Sequence, residues 1–300
     1  MFRRTFLTST GMALTATLCA PTIASAAVKK PGIVCLTFDD GLLSPMLYAF
    51  PTMRKLGLVG TLFVIADPDT PTVRESPPAT DPHLLRIGRL TWGEVGEFEK
   101  AGWEIGAHTV HHDTLTDLSD RELARELEDC IHIIARNTGI APQAFASPGG
   151  MYGADRELPA IQKLFRSHFG VWGVGLLTKV DLLSNPNRID PYEVARLGMT
   201  GKSPSPRDLL TFVDRTVNTG YMLTLVYHNI LLPEQILPDD TLSVGADKFM
   251  EFALYLSRLQ NGGAIRVMTV TKAFESIAHD YQSSPVARAF AQPLPTKKPT

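Results

Sequence analysis

Between Ile33 and Ala278 the chain alternates short apolar runs with capped, amphipathic stretches, and this alternation limits its fold more than any other property. Residues 33–38 form an apolar, β-branched run, the pattern of a strand buried on both faces. A helix is expected over 45–56, ended by Gly57, and a second strand over 59–66. Thr91-Trp92-Gly93-Glu94 and Ser119-Asp120-Arg121-Glu122 are capping boxes that open helices toward Ala101 and Asn137. Further strands are read at 103–107, 144–146, 169–174, 194–197 and 221–227. A helix over 205–217 precedes the last of these, and a helix-strand-helix unit covers about 245–278. Repeated strand–helix units imply a mainly parallel sheet. About seven of them in one α/β domain favour a closed or nearly closed barrel over an open sheet. Residues 67–89, rich in Pro, Thr and Asp, read as a long loop, and long loops inside compact domains are often functional.

The two ends of the chain differ from this middle. Arg3 and Arg4 precede an apolar, uncharged stretch, and Ala24-Ser25-Ala26 supplies the small residues a signal peptidase reads. Residues 1–26 are therefore expected to be a signal peptide and the protein to be exported, to a bacterial periplasm or outside the cell. The Arg-Arg-Thr-Phe-Leu run resembles a twin-arginine signal, and an ordinary secretory signal is the alternative. No later stretch is long and apolar enough to span a bilayer, so the mature chain is expected to have no membrane span. The Ser-, Pro- and Ala-rich segment 282–300 reads as a flexible tail, leaving 27–281 as the folded domain. A formal net charge of -2 carries no basic excess that would argue for nucleic acid. Cys19 leaves with the signal. Cys35 and Cys130 sit in an apolar strand and a helix and read as small buried hydrophobes, although an oxidising compartment would permit a disulfide.

Chemistry is concentrated at strand ends. Thr37-Phe38-Asp39-Asp40-Gly41 directly follows the first strand, so two adjacent carboxylates sit where a barrel enzyme works. Their side chains diverge there: one can bind a metal while the other stays free as a base. His108-Thr109-Val110-His111-His112 follows the strand at 103–107. On a helical turn the i, i+4 pair His108 and His112 would meet one ion, with His111 turned aside. Asp40, His108 and His112 offer two nitrogens and one oxygen. That set suits Zn²⁺, with Co²⁺ or another divalent ion as a substitute, and leaves positions open for water and substrate.

Thr-Phe-Asp-Asp-Gly followed by His-Thr-x-x-His resembles the polysaccharide deacetylase family, the carbohydrate esterases of the NodB-homology type. The resemblance spans roughly 31–278 and implies a distorted (β/α) barrel. It implies Asp39 as the base and Asp40, His108 and His112 as metal ligands. It also implies a substrate bearing N-acetylated sugars. Leu225-Val226-Tyr227-His228-Asn229 resembles the family's Leu-x-His, which makes His228 the acid that protonates the departing amine.

Two family features are altered. Where the family has Arg-x-Pro-Tyr-Gly, this chain has Ala146-Ser147-Pro148-Gly149-Gly150. The Arg that orients the base is absent, with Ala146 and Ser147 in its neighbourhood, and the Tyr is displaced or replaced by Gly149. A backbone amide near Gly149 can still serve a developing oxyanion, and the Pro148–Gly150 loop can wall the site. Arg196, on a predicted strand, can reach the base from another direction; a salt-bridged strand-end residue is its plainer reading. The partner that orients His228 has no clear match, with Asp181 and Asp190 as candidates, and Trp92 and Trp172 are candidates for the groove or the core. Three rivals remain beside a metal-dependent N-deacetylase of amino-sugar polymers: the same metal chemistry on a small non-sugar amide or imide, a catalytically silent carbohydrate-binding descendant, and a purely structural exported protein.

Overall fold

The computed structural model describes residues 30–67, 88–172 and 182–291. The expected signal peptide, most of the 67–89 loop, Asp181 and residues 292–300 lie outside them. The chain divides into two units, Met1–Lys30 and Pro31–Thr300, and the second carries the elements that follow.

A curled, mainly parallel sheet forms the centre. Its order is β5 (Ser167–Phe169), β4 (Ala144–Ala146), β3 (Glu104–Ala107), β2 (Thr61–Val64), β1 (Gly32–Phe38), β9 (Met222–Tyr227), β8 (Ala195–Gly198) and β6 (Val171–Trp172). The two ends of this path, β5 and β6, are consecutive in the chain and separated only by Gly170. One extended segment therefore pairs with β4 through its first half and with β8 through its second, which brings the sheet round into a distorted barrel. The described part of the expected strand 169–174 is thus split between two short strands on different neighbours, and 173–174 lie outside the described residues. β1 pairs with β9 from Ile33 to Phe38, and on its other edge is shared between β12 (Ile265–Val267) and β2. A two-residue β7 (Leu183–Ser184) runs antiparallel to β9.

Helices cover the sheet: α1 (Leu43–Lys55), α2 (Trp92–Lys100), α3 (Asp120–Thr138), α4 (Glu157–Gln162), α5 (Pro206–Thr219), α6 (Ala246–Asn261) and α7 (Val270–Asp280). Both capping boxes form, at Thr91/Glu94 and Ser119/Glu122, and Gly139 ends α3 at φ 79°. Glycine is required there because an L side chain rarely adopts that conformation.

Strand alternation sorts the core into two sets. Ile33 and Cys35 of β1 join Phe63, Ala144, Ala146, Phe169 and Met222 in one cluster, while Val34, Leu36 and Phe38 join the residues beneath the helices in the other. Odd positions of β1 thus face the barrel interior, and Thr37 and Asp39 continue that series up to its mouth. The interior is tight: a Cβ on Gly106 would lie 2.5 Å from the Phe63 ring. Cys35 and Cys130 are both buried and both free, so the optional disulfide is absent.

Part of the segment 282–300, expected as a flexible tail, is helical. Ser284 caps a further helix, α8 (Pro285–Phe290), accepting from the Ala287 amide at 3.1 Å. Val286 is fully buried, and the Phe290 ring lies 5.8 Å from that of Phe274 on α7. An N-cap Ser, a Pro at the first position and an i, i+4 apolar pair outweigh the low-complexity composition, so order extends to Ala291.

Candidate active site

The barrel's mouth collects the polar residues. β1 ends at Phe38, opposite Tyr227 of β9, and the Asp39 amide donates to the Tyr227 carbonyl at 2.9 Å. This register sets Asp39 beside His228. Asp40 follows with φ 71°, a left-handed turn that breaks the alternation and points its carboxylate away from that of Asp39. The turn is strapped by residues 88–90. Leu90 donates its amide to the Gly41 carbonyl at 2.8 Å, and Arg89 Nη1 donates to the Asp40 carbonyl at 2.6 Å. In the sequence Arg89 sits at the end of a loop, and no local signal marks it as the residue that holds the Asp-Asp-Gly turn.

Asp40 Oδ1 lies 3.3 Å from His108 Nε2 and 3.3 Å from His112 Nε2. It is buried without a hydrogen bond. The two imidazoles meet edge to face, with centroids 4.9 Å apart. His108 Nδ1 is 2.7 Å from the Ala146 carbonyl, which can only accept, so Nδ1 donates and Nε2 is the nitrogen turned toward Asp40. The three donor atoms lie within 4.8 Å of one another. Burial alone would raise the Asp40 carboxyl, yet the two imidazoles hold it well below the usual carboxylate range. Burial likewise opposes charge on His108, but Asp40 and Asp39 outweigh it and raise its pKa. The pocket favours positive charge, and an orphaned carboxylate oxygen facing two imidazole nitrogens fits a divalent cation. The side chain of His112 is 40% exposed, which leaves one side open to ligands from solvent.

The expected helical turn at 108–112 is absent. His108 and His112 converge through a loop that needs positive φ at Thr109 (65°) and His112 (68°). The His112 amide donates to Thr109 Oγ1 at 2.9 Å, and that hydroxyl donates to the His108 carbonyl at 2.6 Å. These short-range bonds give the spacing its function in place of helical periodicity. His111 turns outward, its Nδ1 2.5 Å from Oε1 of Glu126 on α3.

Arg196 rises through the interior beneath Asp39. It is fully buried, and its Nη1 donates to Asp39 Oδ1 at 2.8 Å and to Thr37 Oγ1 at 3.4 Å. Its guanidinium lies over the rings of Phe63 (5.7 Å) and Phe169 (5.9 Å). Asp39 is 2% exposed. The cation that meets Asp39 thus comes from β8, and Ala146 at the end of β4 is buried small core.

Pro148–Gly150 forms a single 3-10 turn directly after β4, with Gly149 at φ 58° and Gly150 at φ 72°. The Gly150 and Met151 amides close the turn onto Ser147 and Pro148. Gly149 is exposed, and its amide has no protein partner among the described residues. Behind the turn, Ser147 Oγ donates to His168 Nε2 at 2.7 Å, and His168 Nδ1 donates to the Tyr192 carbonyl at 2.9 Å. Burial, with Arg196 nearby, pushes the His168 pKa down to about 4, so this anchor is neutral. No motif signals it in the sequence.

His228 is 8% exposed. Burial lowers its pKa, which Asp40 and Asp39 only partly restore. Its successor Asn229 accepts from Ser44 Oγ of α1 at 2.8 Å, at the start of a small parallel pair, β10 (Asn229–Leu231) with β11 (Ser243–Gly245). Asp190 is exposed and accepts the Tyr192 amide at 2.9 Å. A pocket of about 160 Å³ opens beside Asp40, lined by Val64, Asp67, Arg89 and Trp92 among others. The Trp172 side chain lies outside the described residues. Among the described residues no helix is long and apolar enough to cross a membrane.

The chain is similar to several known proteins. YxkH of Bacillus subtilis (strain 168), provisionally named a polysaccharide deacetylase, is 27% identical over 103 residues, which are 34% of this chain and 32% of that protein. Among solved structures, the peptidoglycan deacetylase PdaC from Bacillus subtilis aligns with a TM-score of 0.46 at 18% identity, over 86% of this chain and 96% of that one. The Xyl-CE4 domain of a multidomain xylanase from the hindgut metagenome of Trinervitermes trinervoides aligns at 0.47 with 16% identity, over 82% and 91%. The family model described as polysaccharide deacetylase matches residues 26–164, the stretch that holds Asp39, Asp40, His108, His112 and the Pro148–Gly150 turn.

Proposed function

We propose that this protein is an exported, metal-dependent deacetylase that hydrolyses the N-acetyl group of an amino-sugar polymer or oligomer. The observation that carries the reading is the division between two adjacent carboxylates. Asp40 Oδ1 faces two imidazole nitrogens with no hydrogen bond of its own, while Asp39 is held by Arg196 on the other side of the turn.

A divalent cation held by Asp40, His108 and His112, most naturally Zn²⁺, would supply Lewis-acid polarisation of the acetyl carbonyl and acidify the attacking water. The protein's own groups do the rest. Asp39 accepts the proton that the attacking water releases. Arg196, buried and bonded to Oδ1, fixes that carboxylate and takes over the orienting task of the missing motif Arg. The Gly149 amide donates to the oxygen that gains negative charge. His228 gives a proton to the departing nitrogen as the C–N bond breaks, releasing acetate and a free amine. Its depressed pKa makes the charged ring a strong donor. Trp92, Asp67 and Arg89 beside Asp40 offer the mixed aromatic and polar surface that suits a sugar ring.

The Arg-Arg signal and the Ala24-Ser25-Ala26 site support export. Acetate release from N-acetylglucosamine oligomers, by the protein stripped of metal and then supplied with Zn²⁺ or Co²⁺, tests the reading. Metal-dependent acetate is expected. Tight metal binding without acetate would move the assignment to a small non-sugar amide, and neither metal binding nor acetate would favour a silent binding module.

A further inference from the structure

The 108–112 loop is an unfavourable structure on its own. Thr109 and His112 both adopt left-handed backbone without being glycine, at φ 65° and 68°. Each such residue has a cost that surrounding contacts must offset. Beside the loop's own Thr109 hydroxyl, the contacts at its centre come from Glu126, which is 5% exposed on α3. Its Oε2 accepts from the Val110 amide at 2.8 Å and the His111 amide at 2.9 Å, and its Oε1 accepts from His111 Nδ1 at 2.5 Å. One carboxylate therefore ties three donors at the centre of the loop. Cys130, one turn further along the same face of α3, lies against the His108 and Thr109 amides, so the helix supports the loop at two successive points.

Two consequences follow. With Val110 and His111 fixed, the chain has to turn at His112 in the one direction that brings its Nε2 to 3.3 Å from Asp40 Oδ1. His111, adjacent in sequence and just as able to bind a metal, is held outward by the same carboxylate. Resting on the metal-centre reading above, we infer that Glu126 is a positioning residue that selects His112 over His111 as the second imidazole ligand. It touches neither the cation nor the substrate, and its effect on catalysis passes through the loop.

The experiment compares the full chain with its E126Q and E126D variants. Gln keeps the volume but turns an amide toward His111 Nδ1. Asp keeps the charge but withdraws it by one methylene. Zn²⁺ affinity is read by competition with a chromophoric chelator, ligand geometry by the Co²⁺ visible spectrum, and folding by the thermal midpoint of the metal-free protein. Both variants are expected to lose about 10- to 100-fold in Zn²⁺ affinity, the usual effect of removing a residue that orients a ligand. The Co²⁺ spectrum is expected to change, and acetate-releasing activity to return at excess metal. Adding H111A to E126Q is expected to restore a native-like Co²⁺ spectrum, because the competing imidazole is gone. Native affinity and spectrum in both single variants would overturn the inference, as would a fall in thermal midpoint with metal binding untouched. A native protein that binds no Zn²⁺ or Co²⁺ would instead overturn the metal centre itself, a distinct result.

Discussion

The barrel carries a buried or half-buried carboxylate at each end, and the two are treated in opposite ways. Glu104 opens β3 at the base. Its Oε1 accepts from Thr271 Oγ1 at 2.5 Å, and its Oε2 accepts from the Thr271 amide at 2.9 Å and from Thr61 Oγ1 at 3.3 Å. Thr61 in turn accepts from the Val270 amide at 3.0 Å, so the cluster closes the N-terminus of α7 onto the strands. Burial raises the Glu104 pKa, and the surrounding hydroxyls and amide pull it back. At the mouth, Asp40 Oδ1 is buried, held anionic and without a hydrogen bond. The base supplies hydroxyl and amide donors to its carboxylate, and the mouth supplies two imidazole nitrogens. A site built for folding satisfies its charges within the chain, while a site built for a ligand leaves one for the ligand to satisfy.

The largest effect that separates the ends is expected from Asp40→Asn. Removing a direct ligand should lower Zn²⁺ affinity by on the order of 100-fold or more, since even residues that only orient ligands contribute 10- to 100-fold. Asn tolerates the left-handed backbone at least as well as Asp, so the metal-free thermal midpoint should hold. A fall in that midpoint with metal affinity intact would make Asp40 a structural carboxylate like Glu104.

Arg196→Met comes next. It leaves Asp39 as an uncompensated buried charge, a change that costs about 3–5 kcal/mol. Combining it with Asp39→Asn should recover part of that loss, and the double-mutant cycle measured by denaturant unfolding gives the coupling. Zero coupling would mean that the 2.8 Å contact does not hold the base.

His168 sharpens the comparison by pH. Its folded pKa of about 4 lies below the 6.5 of the free side chain, so the unfolded chain takes up the proton first. The stability from its neutral form is whole above pH 6.5 and drains away as pH falls toward 4, by roughly 3 kcal/mol. Thermal midpoints across that window should fall for the native protein and flatten for His168→Gln. An unchanged slope in the variant would remove His168 from the account.

The smallest of the four changes belongs to the base. Glu104→Ala leaves the Thr271 amide and hydroxyls unsatisfied, at about 2–3 kcal/mol. Metal affinity at the mouth should not move. If it did, the two ends would be coupled.

Legibility in the sequence follows how local each signal is. Asp39 and Asp40 follow the end of β1 and His108 and His112 the end of β3, so short motifs carried them. The backbone that joins them was hidden, because positive φ at Thr109 and His112 runs against single-residue preference. Arg196 left one trace, a charge between Ala195 and Leu197 on a strand, which alternation assigns to the interior. Its contact with Asp39 joins residues 157 apart in sequence, and nothing local encodes it. Glu126 and Ser147–His168 act through long-range hydrogen bonds as well, and no spacing marks them. The last helix was obscured by composition, although the Ser284-Pro285 start and the Val286/Phe290 pair were in plain view.

The central claim is that neighbouring carboxylates divide the work, Asp40 holding a cation and Asp39 accepting a proton. Acetate release by Asp39→Asn, measured on protein with its metal content assayed, tests it most directly. The account predicts one equivalent of Zn²⁺ bound with native affinity and turnover lowered by about 10²- to 10⁴-fold. A metal-loaded Asp39→Asn protein that turns over at the native rate would contradict it.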